Sequence, residues 1–314
     1  MPHDIMVGVD GSPAGLAAAH WAAQEAQRRQ TGLSLVHAWH RHVRPGPNIP
    51  FGSSEHDWAG QLLRAAVRSV RAAHPDLRTT ERLMCDATVT ALLTASADSD
   101  LLVLGSRPLG ALSGFVTGSV SQRVIGRSIR PVVLVRAGRS PADEHLPAMD
   151  GVAPEEIPLT PYREVLLGLR TGRPSGALIE FAFDVARRRG TGLRVLHAFR
   201  APSRLAPAPS VPLVSAAPEG PAPAPRPRAQ ESADEEHSLM ALLRPWREKY
   251  PAVPVTATAT EGRAAVTLVQ AARSVGLLVV GRHASGHRIG AHTGPVTHAV
   301  LHHAGCPVAV VPHD

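Results

Sequence analysis

One segment of this chain is written twice, and that repetition limits the possible fold more than any single motif does. Residues 101–119 read Leu-Leu-Val-Leu-Gly-Ser-Arg-Pro-Leu-Gly-Ala-Leu-Ser-Gly-Phe-Val-Thr-Gly-Ser: an apolar run, a glycine-rich stretch, then the start of a helical pattern. From Leu277 the chain reads Leu-Leu-Val-Val-Gly-Arg-His-Ala and, nine residues later, Gly294-Pro295. Other pieces pair in the same way. Val7-Gly8-Val9-Asp10 matches Leu167-Gly168-Leu169-Arg170, residues 33–39 match 193–199, and 131–135 match 307–311. The early pairs stand 160 positions apart and the late ones 176, so the chain holds two homologous halves, the second with a net insertion of 16 residues.

The insertion falls where the composition changes. Residues near 201–230, Pro- and Ala-rich, are too poor in large apolar groups to pack a core, and their prolines favour extended, solvated backbone. A second stretch, 139–161, shows no sustained periodicity and is expected to join a first domain, 1–138, to a second, 162–314. At 314 residues each half has length for its own core. Hydrophobic residues make up 44% but aromatics only 4%, so Ala, Val and Leu must carry the packing. No apolar run is long enough to span a bilayer, and Met-Pro-His-Asp leads straight into a strand with no secretory signal, so a cytoplasmic protein is expected. Cys85 and Cys306 fall in different halves and read as two small buried hydrophobes in a reducing compartment, not as a bridge. The formal charge of +7 comes from arginines scattered through helical stretches, which reads as solvated helix faces and gives little support to nucleic-acid binding.

The periodicities alternate. Ile5 to Val9 reads as a buried strand, Ser12 as a cap with Pro13 in the first turn, and Ala14 to Arg29 as an amphipathic helix. Strands follow at 33–38, 79–85, 101–104 and 132–135, and helices at 62–73, 89–97 and 118–129. This β-α order predicts a five-stranded parallel sheet with helices on both faces, repeated from Val165 to Val311: two tandem doubly wound α/β domains.

With these residues in view, the chain resembles the tandem-domain universal stress proteins of actinobacteria over nearly its full length. ATP-binding members of that family carry glycine, two residues, glycine, nine residues, then glycine and serine or threonine; here Gly105, Gly118 and Ser119 keep that spacing. Val-Asp-Gly-Ser at the end of the first strand and Val-His-Ala on the second strengthen the likeness. The resemblance implies a Rossmann-like nucleotide-binding fold and a role in stress response through ligand-dependent interaction with unidentified protein partners. It also implies an intramolecular pseudo-dimer, packed through the last strands, and leaves a homodimer of chains open.

In a doubly wound sheet a ligand sits outside the carboxyl ends of the strands, where strand order reverses. Asp10 ends the first strand and can accept hydrogen bonds from a nucleoside; the resemblance implies that contact, and implies that the backbone at Ala38 meets adenine. Gly105 allows close backbone approach. Gly118 and Ser119 open a helix whose free N–H groups favour polyphosphate, with hydroxyls from Ser119 and Ser121 and a guanidinium from Arg107 nearby. Pro108 stands where the family has its second glycine and brings no N–H, and Asp86-Ala-Thr88 replaces a common Gly-x-Pro.

The second copy has lost three of these contacts: Arg170 replaces the aspartate, Ala284 the second loop glycine and Pro295 the serine. It is expected to serve assembly, regulation or a different ligand. Of 17 histidines, His298 and His302 stand four apart, as do His283 and His287, but no carboxylate or cysteine completes a ligand set, so no metal site is expected. The expected function is ATP or related adenine-nucleotide binding in the first half. Two alternatives stay open: an interaction module with both sites dead, and a weak ATP-hydrolysing enzyme. Hydrolysis would need Mg2+ and a positioned water, and the sequence names no base and no catalytic residue for it. An ATP-pyrophosphatase would need Ser-Gly-Gly-x-Asp-Ser after the first strand, where this chain has Asp10-Gly-Ser-Pro.

Overall fold

In the computed structural model the described residues are 3–40, 54–108, 115–116, 118–138, 141–146, 160–200, 228–283 and 293–313. The first half runs β1 (Ile5–Gly8), α1 (Pro13–Arg29), β2 (Leu33–Trp39), α2 (Glu55–Ala73), β3 (Thr79–Cys85), α3 (Thr88–Ser96), β4 (Leu101–Pro108), β5 (Phe115–Val116), α4 (Ser119–Arg127) and β6 (Val132–Arg136). After a 3-10 turn at Pro141–Glu144, the second half gives β7 (Val165–Gly168), α5 (Gly176–Arg189), β8 (Leu193–Phe199) and α6 (Arg228–Lys249). It ends with β9 (Val255–Glu261), α7 (Ala264–Ala271), β10 (Leu277–His283), α8 (Pro295–His303) and β11 (Val308–His313). Most of the Pro- and Ala-rich segment, 201–227, lies outside the described residues.

The strands form one sheet in the order β3-β2-β1-β4-β6-β11-β10-β7-β8-β9. Within each half the neighbours on this path are parallel, as expected. The halves join where β6 pairs antiparallel with β11, Leu134 opposite Val308 and Val132 opposite Val310, so the last strands of the two halves are neighbours in one sheet. Alternation along each strand feeds two cores. Ile5 and Val7 belong to the core that also holds residues of α1, α2, α5 and α6, while Met6 belongs to the one that holds residues of α3, α4, α7 and α8. Small side chains let the layers close: Ala18, Ala19, Ala22, Ala23 and Ala26 of α1 are all fully buried.

Charged groups tie the halves together beside this seam. Arg136, fully buried, donates to Ser106 Oγ at 3.0 Å and to the Val300 carbonyl in the last turn of α8 at 3.1 Å. Arg282 donates in the opposite direction, to the Ser128 carbonyl at the end of α4. Each cation thus sits at the negative end of a helix from the other half. Across the α1–α5 contact, Glu25 is 1% exposed and ringed by Arg28 at 3.1 Å, Arg29 at 2.8 Å and Arg189 at 3.6 Å. Arg189 also holds Glu144 at 2.6 Å, and Arg29 reaches Asp184 at 3.8 Å. Burial alone would raise the Glu25 carboxyl; the surrounding guanidiniums outweigh it and bring it down to about 2.

Three expectations need correction. Helix α2 begins at Glu55, not Leu62, because Ser54 accepts the Asp57 N–H at 3.1 Å and caps a first turn too polar to show an apolar period. Strand β4 continues past Leu104 to Pro108, and β5 folds back antiparallel on Arg107 and Pro108, so the glycine-rich stretch opens as a strand. Cys85 is exposed, not buried, because β3 is an edge strand with most residues turned to solvent; Cys306 is buried, and neither is bridged. Within the joining segment Glu144 and His145 are buried, both 5% exposed.

Candidate functional site

Strand order reverses between β1 and β4, so the crevice at their carboxyl ends is where this topology admits a ligand. Asp10 stands just past β1. One carboxylate oxygen accepts the Ser12 N–H at 3.0 Å and the Ser12 hydroxyl at 2.5 Å; the other meets Arg107 at 3.0 Å. The Ser12 oxygen in turn accepts the Gly15 N–H at 3.1 Å and caps α1. Gly11 makes the turn between them at φ +76°, a conformation that favours glycine. Burial raises the Asp10 carboxyl, but Ser12 and then Arg107 outweigh it, leaving the group ionised and below the ordinary carboxylate value. Both Asp10 and Arg107 remain largely exposed, at 56% and 68% of their side chains.

The other expected residues separate into those that face the crevice and those that hold it. Gly105 holds it: a Cβ there would lie 2.4 Å from the carbonyl carbon and oxygen of Ala14, so glycine is required for α1 to cross β4 closely. Gly118 is the N-cap of α4 with no side-chain hydrogen bond, and a Cβ there would meet nothing within 4 Å. The amides of that first turn are therefore left to an outside acceptor, unlike those of α1 and α2, which Ser12 and Ser54 cap. Ser119 is exposed beside them, whereas Ser121 is buried. Ala38 lies near the end of β2, half-buried, opposite Met84. Pro108 ends β4, and residues 109–114 of the glycine-rich stretch lie outside the described residues.

Sequence reasoning noted Val-His-Ala without giving the histidine a task. The His37 Nδ1–H donates to the Val9 carbonyl at 2.7 Å, pinning the chain immediately before Asp10. His197 does the same to Leu169 at 3.0 Å, immediately before Arg170. The signal was present, since both histidines stand 160 positions apart in matched pieces.

In the second copy Arg170 is exposed, and no carboxylate among the described residues pairs with it. Ala284, the replaced loop glycine, lies outside the described residues, as do His287 and His292. Gly281 again marks a close approach, a Cβ there falling 2.6 Å from His313 Nε2. Gly294 again caps a helix in open space, and Pro295 takes the first helical position. The Thr297 hydroxyl, in the place of Ser121, donates to the Gly281 carbonyl at 3.1 Å. The His298 and His302 rings lie tilted at 49° with centres 4.5 Å apart, and His302 contacts Gln122 of the first half at 3.0 Å.

The sequence model of the universal stress protein family matches residues 1–136 and again 161–312. A universal stress protein of Mycobacterium tuberculosis is 32% identical across 98% of this chain and 96% of its own length. A second from the same organism is 30% identical across 99% and 96%. A crystal structure of a universal stress protein from Archaeoglobus fulgidus superposes with a TM-score of 0.68 over the whole of both chains at 13% identity, which speaks to the fold. Two family repeats in one chain, sharing one sheet through their last strands, make this protein a member of the universal stress protein family.

Proposed function

We propose that the first half binds ATP or a related adenine nucleotide at the β1–β4 crevice and that the bound state governs interaction with protein partners in a stress response. The observation that carries this reading is the uncapped, open N-terminus of α4 in the same half as the ionised Asp10. The two ends of a nucleotide need those opposite characters. Phosphates take the N–H groups of the first turn and the Ser119 hydroxyl. Asp10 accepts from the ribose hydroxyls, and the Ala38 backbone flanks the base. Arg107, now on Asp10, has a phosphate as its alternative partner, so ligand entry exchanges one charge-assisted contact for another. Pro108 offers no N–H, which leaves the helix terminus to do the anion binding.

ATP supplies the anionic chain on which Mg2+ would ride. Among the described residues no group of three His, Cys, Asp or Glu is arranged to cage a metal.

Isothermal titration of ATP into the full chain tests the assignment. Asp10→Ala is expected to weaken binding about tenfold or more, the loss of hydrogen bonds to a charged acceptor. Ser119→Ala is expected to weaken it by less. Equal affinity in the wild type and the Asp10 variant would overturn the role given to that carboxylate, and no binding to either would leave the interaction module as the better reading.

A further inference from the structure

The sheet's second set of carboxyl ends is not an empty copy of the first. A cavity of about 1280 Å3 opens there, lined from β7, β8, β10 and α8 and closed on one side by Gly126 and Arg127 of the first half. It exceeds the roughly 300–1,000 Å3 of ordinary small-ligand pockets. Five arginines line it: Arg127, Arg170, Arg173, Arg200 and Arg282. No Asp or Glu is among its described lining residues. Arg127, Arg170, Arg173 and Arg200 are exposed, and none has a carboxylate in ion-pair range among the described residues. Arg282 is 7% exposed, and its Nε has no hydrogen-bond partner there.

Such a concentration is unfavourable without an anion. Guanidiniums sharing one cavity repel each other, and low-dielectric walls focus their field into it. At the contact between the halves, by contrast, arginines meet carboxylates: Arg28, Arg29 and Arg189 surround Glu25, and Arg187 and Arg188 hold Asp184. The uncapped first turn of α8 also lines the cavity through Gly294, Pro295 and Thr297, adding the positive end of a helix. His197 lines it too, with its Nδ1–H committed to Leu169; Glu235 stands 3.6 Å from its Nε2 without lining the cavity.

We infer that this cavity binds an oligophosphate, with recognition resting on several negative charges rather than on a nucleoside. The guanidinium fork matches phosphate oxygens two at a time, and several forks around one cavity suit a chain of phosphates better than a single one. Arg170 occupies the position where the first half has its nucleoside-accepting carboxylate, so the two crevices select for opposite charge at that point. Because Arg127 comes from the first half, the site is complete only when the halves are joined. The inference does not depend on nucleotide binding in the first half. Its ligand could be free oligophosphate or the phosphate tail of a nucleotide.

The test is calorimetric titration of sodium tripolyphosphate into the full chain and into an Arg170→Asp/Arg173→Ala variant. Both arginines are exposed and without described ion pairs, so the double variant is expected to melt like the wild type. Tripolyphosphate is expected to bind the wild type and to bind the double variant at least about tenfold more weakly. ATP titrated into both then names the source: an equivalent of ATP lost in the double variant assigns the tail of a nucleotide, and an unchanged number of equivalents assigns the free anion. Unchanged tripolyphosphate binding in the double variant, or no binding to the wild type, would overturn the inference.

Discussion

Replacing Glu25 by Gln removes one negative charge from the contact between the halves and leaves its cationic neighbours in place. Holding this carboxyl at about 2 instead of its ordinary 4.5 corresponds to about 3 kcal/mol of stability at neutral pH, at roughly 1.4 kcal/mol per tenfold step. Truncating one member of a buried ion pair costs about 3–5 kcal/mol. The lower end applies here, because Arg189 keeps Glu144, Arg29 keeps Asp184 and Arg28 keeps the Tyr162 hydroxyl. For a chain of this size that is a fall in melting temperature of about 5–10 °C, read by circular dichroism. The pH dependence follows from the sign of the displacement. A carboxyl lowered on folding contributes fully above its unfolded value, 4.5, and loses that contribution as pH falls towards about 2. The gap between wild type and Glu25→Gln should therefore be widest at neutral pH and shrink below pH 4.5. A gap that is absent at pH 7, or constant down to pH 3, would refute the reasoning.

Two further outcomes separate packing from binding and exposure from burial. Gly105→Ala is expected to destabilise the chain with or without nucleotide, because its Cβ would lie 2.4 Å from Ala14 backbone. Gly118→Ala, with open space around it and φ −56°, should leave the melting temperature nearly unchanged, so an affinity loss there reports on the ligand alone. Of the two cysteines, Cys85 should react with a thiol reagent in the native protein and Cys306 only in denaturant; equal native reactivity would contradict the burial of Cys306.

The alternation of strand and helix was legible because each strand is a short apolar run and each helix a run of spaced apolar positions. The same logic could not see where an element continues through residues that look like a loop. Gly105 and Pro108 read as turn residues, yet β4 runs through both; the reason for Gly105 is the Ala14 backbone, which a linear pattern does not reveal. The charged network was equally hidden. Glu25, Arg28 and Arg29 have the spacing of a solvated helix face, and only Arg189 and Glu144, more than a hundred residues away, make that face an interior. At the candidate site the sequence proposes Asp10, Arg107, Gly118 and Ser119 by position. It could not tell that Ser121 is buried, or that Arg107 already rests on Asp10.

Comparison of the two copies shows which parts of the crevice are dictated by the fold and which are free to change. Kept in both are a glycine after the apolar run, Gly105 against the Ala14 backbone and Gly281 against the His313 side chain; a glycine N-cap in open space, Gly118 and Gly294; and a histidine pinning the first strand's exit, His37 and His197. Changed are the side chains that would meet a ligand: Asp10 to Arg170, Ser119 to Pro295. The buried arginines at the seam changed as well. Arg136 matches Pro312 and Arg282 matches Ser106, so the two halves tie to each other through non-equivalent positions. A chain of two interchangeable halves would need neither departure from symmetry. Here each half supplies what the other lacks, at the seam as cations on opposing helix ends and at the crevices as opposite charge. The duplication thus describes one scaffold with two chemically different crevices.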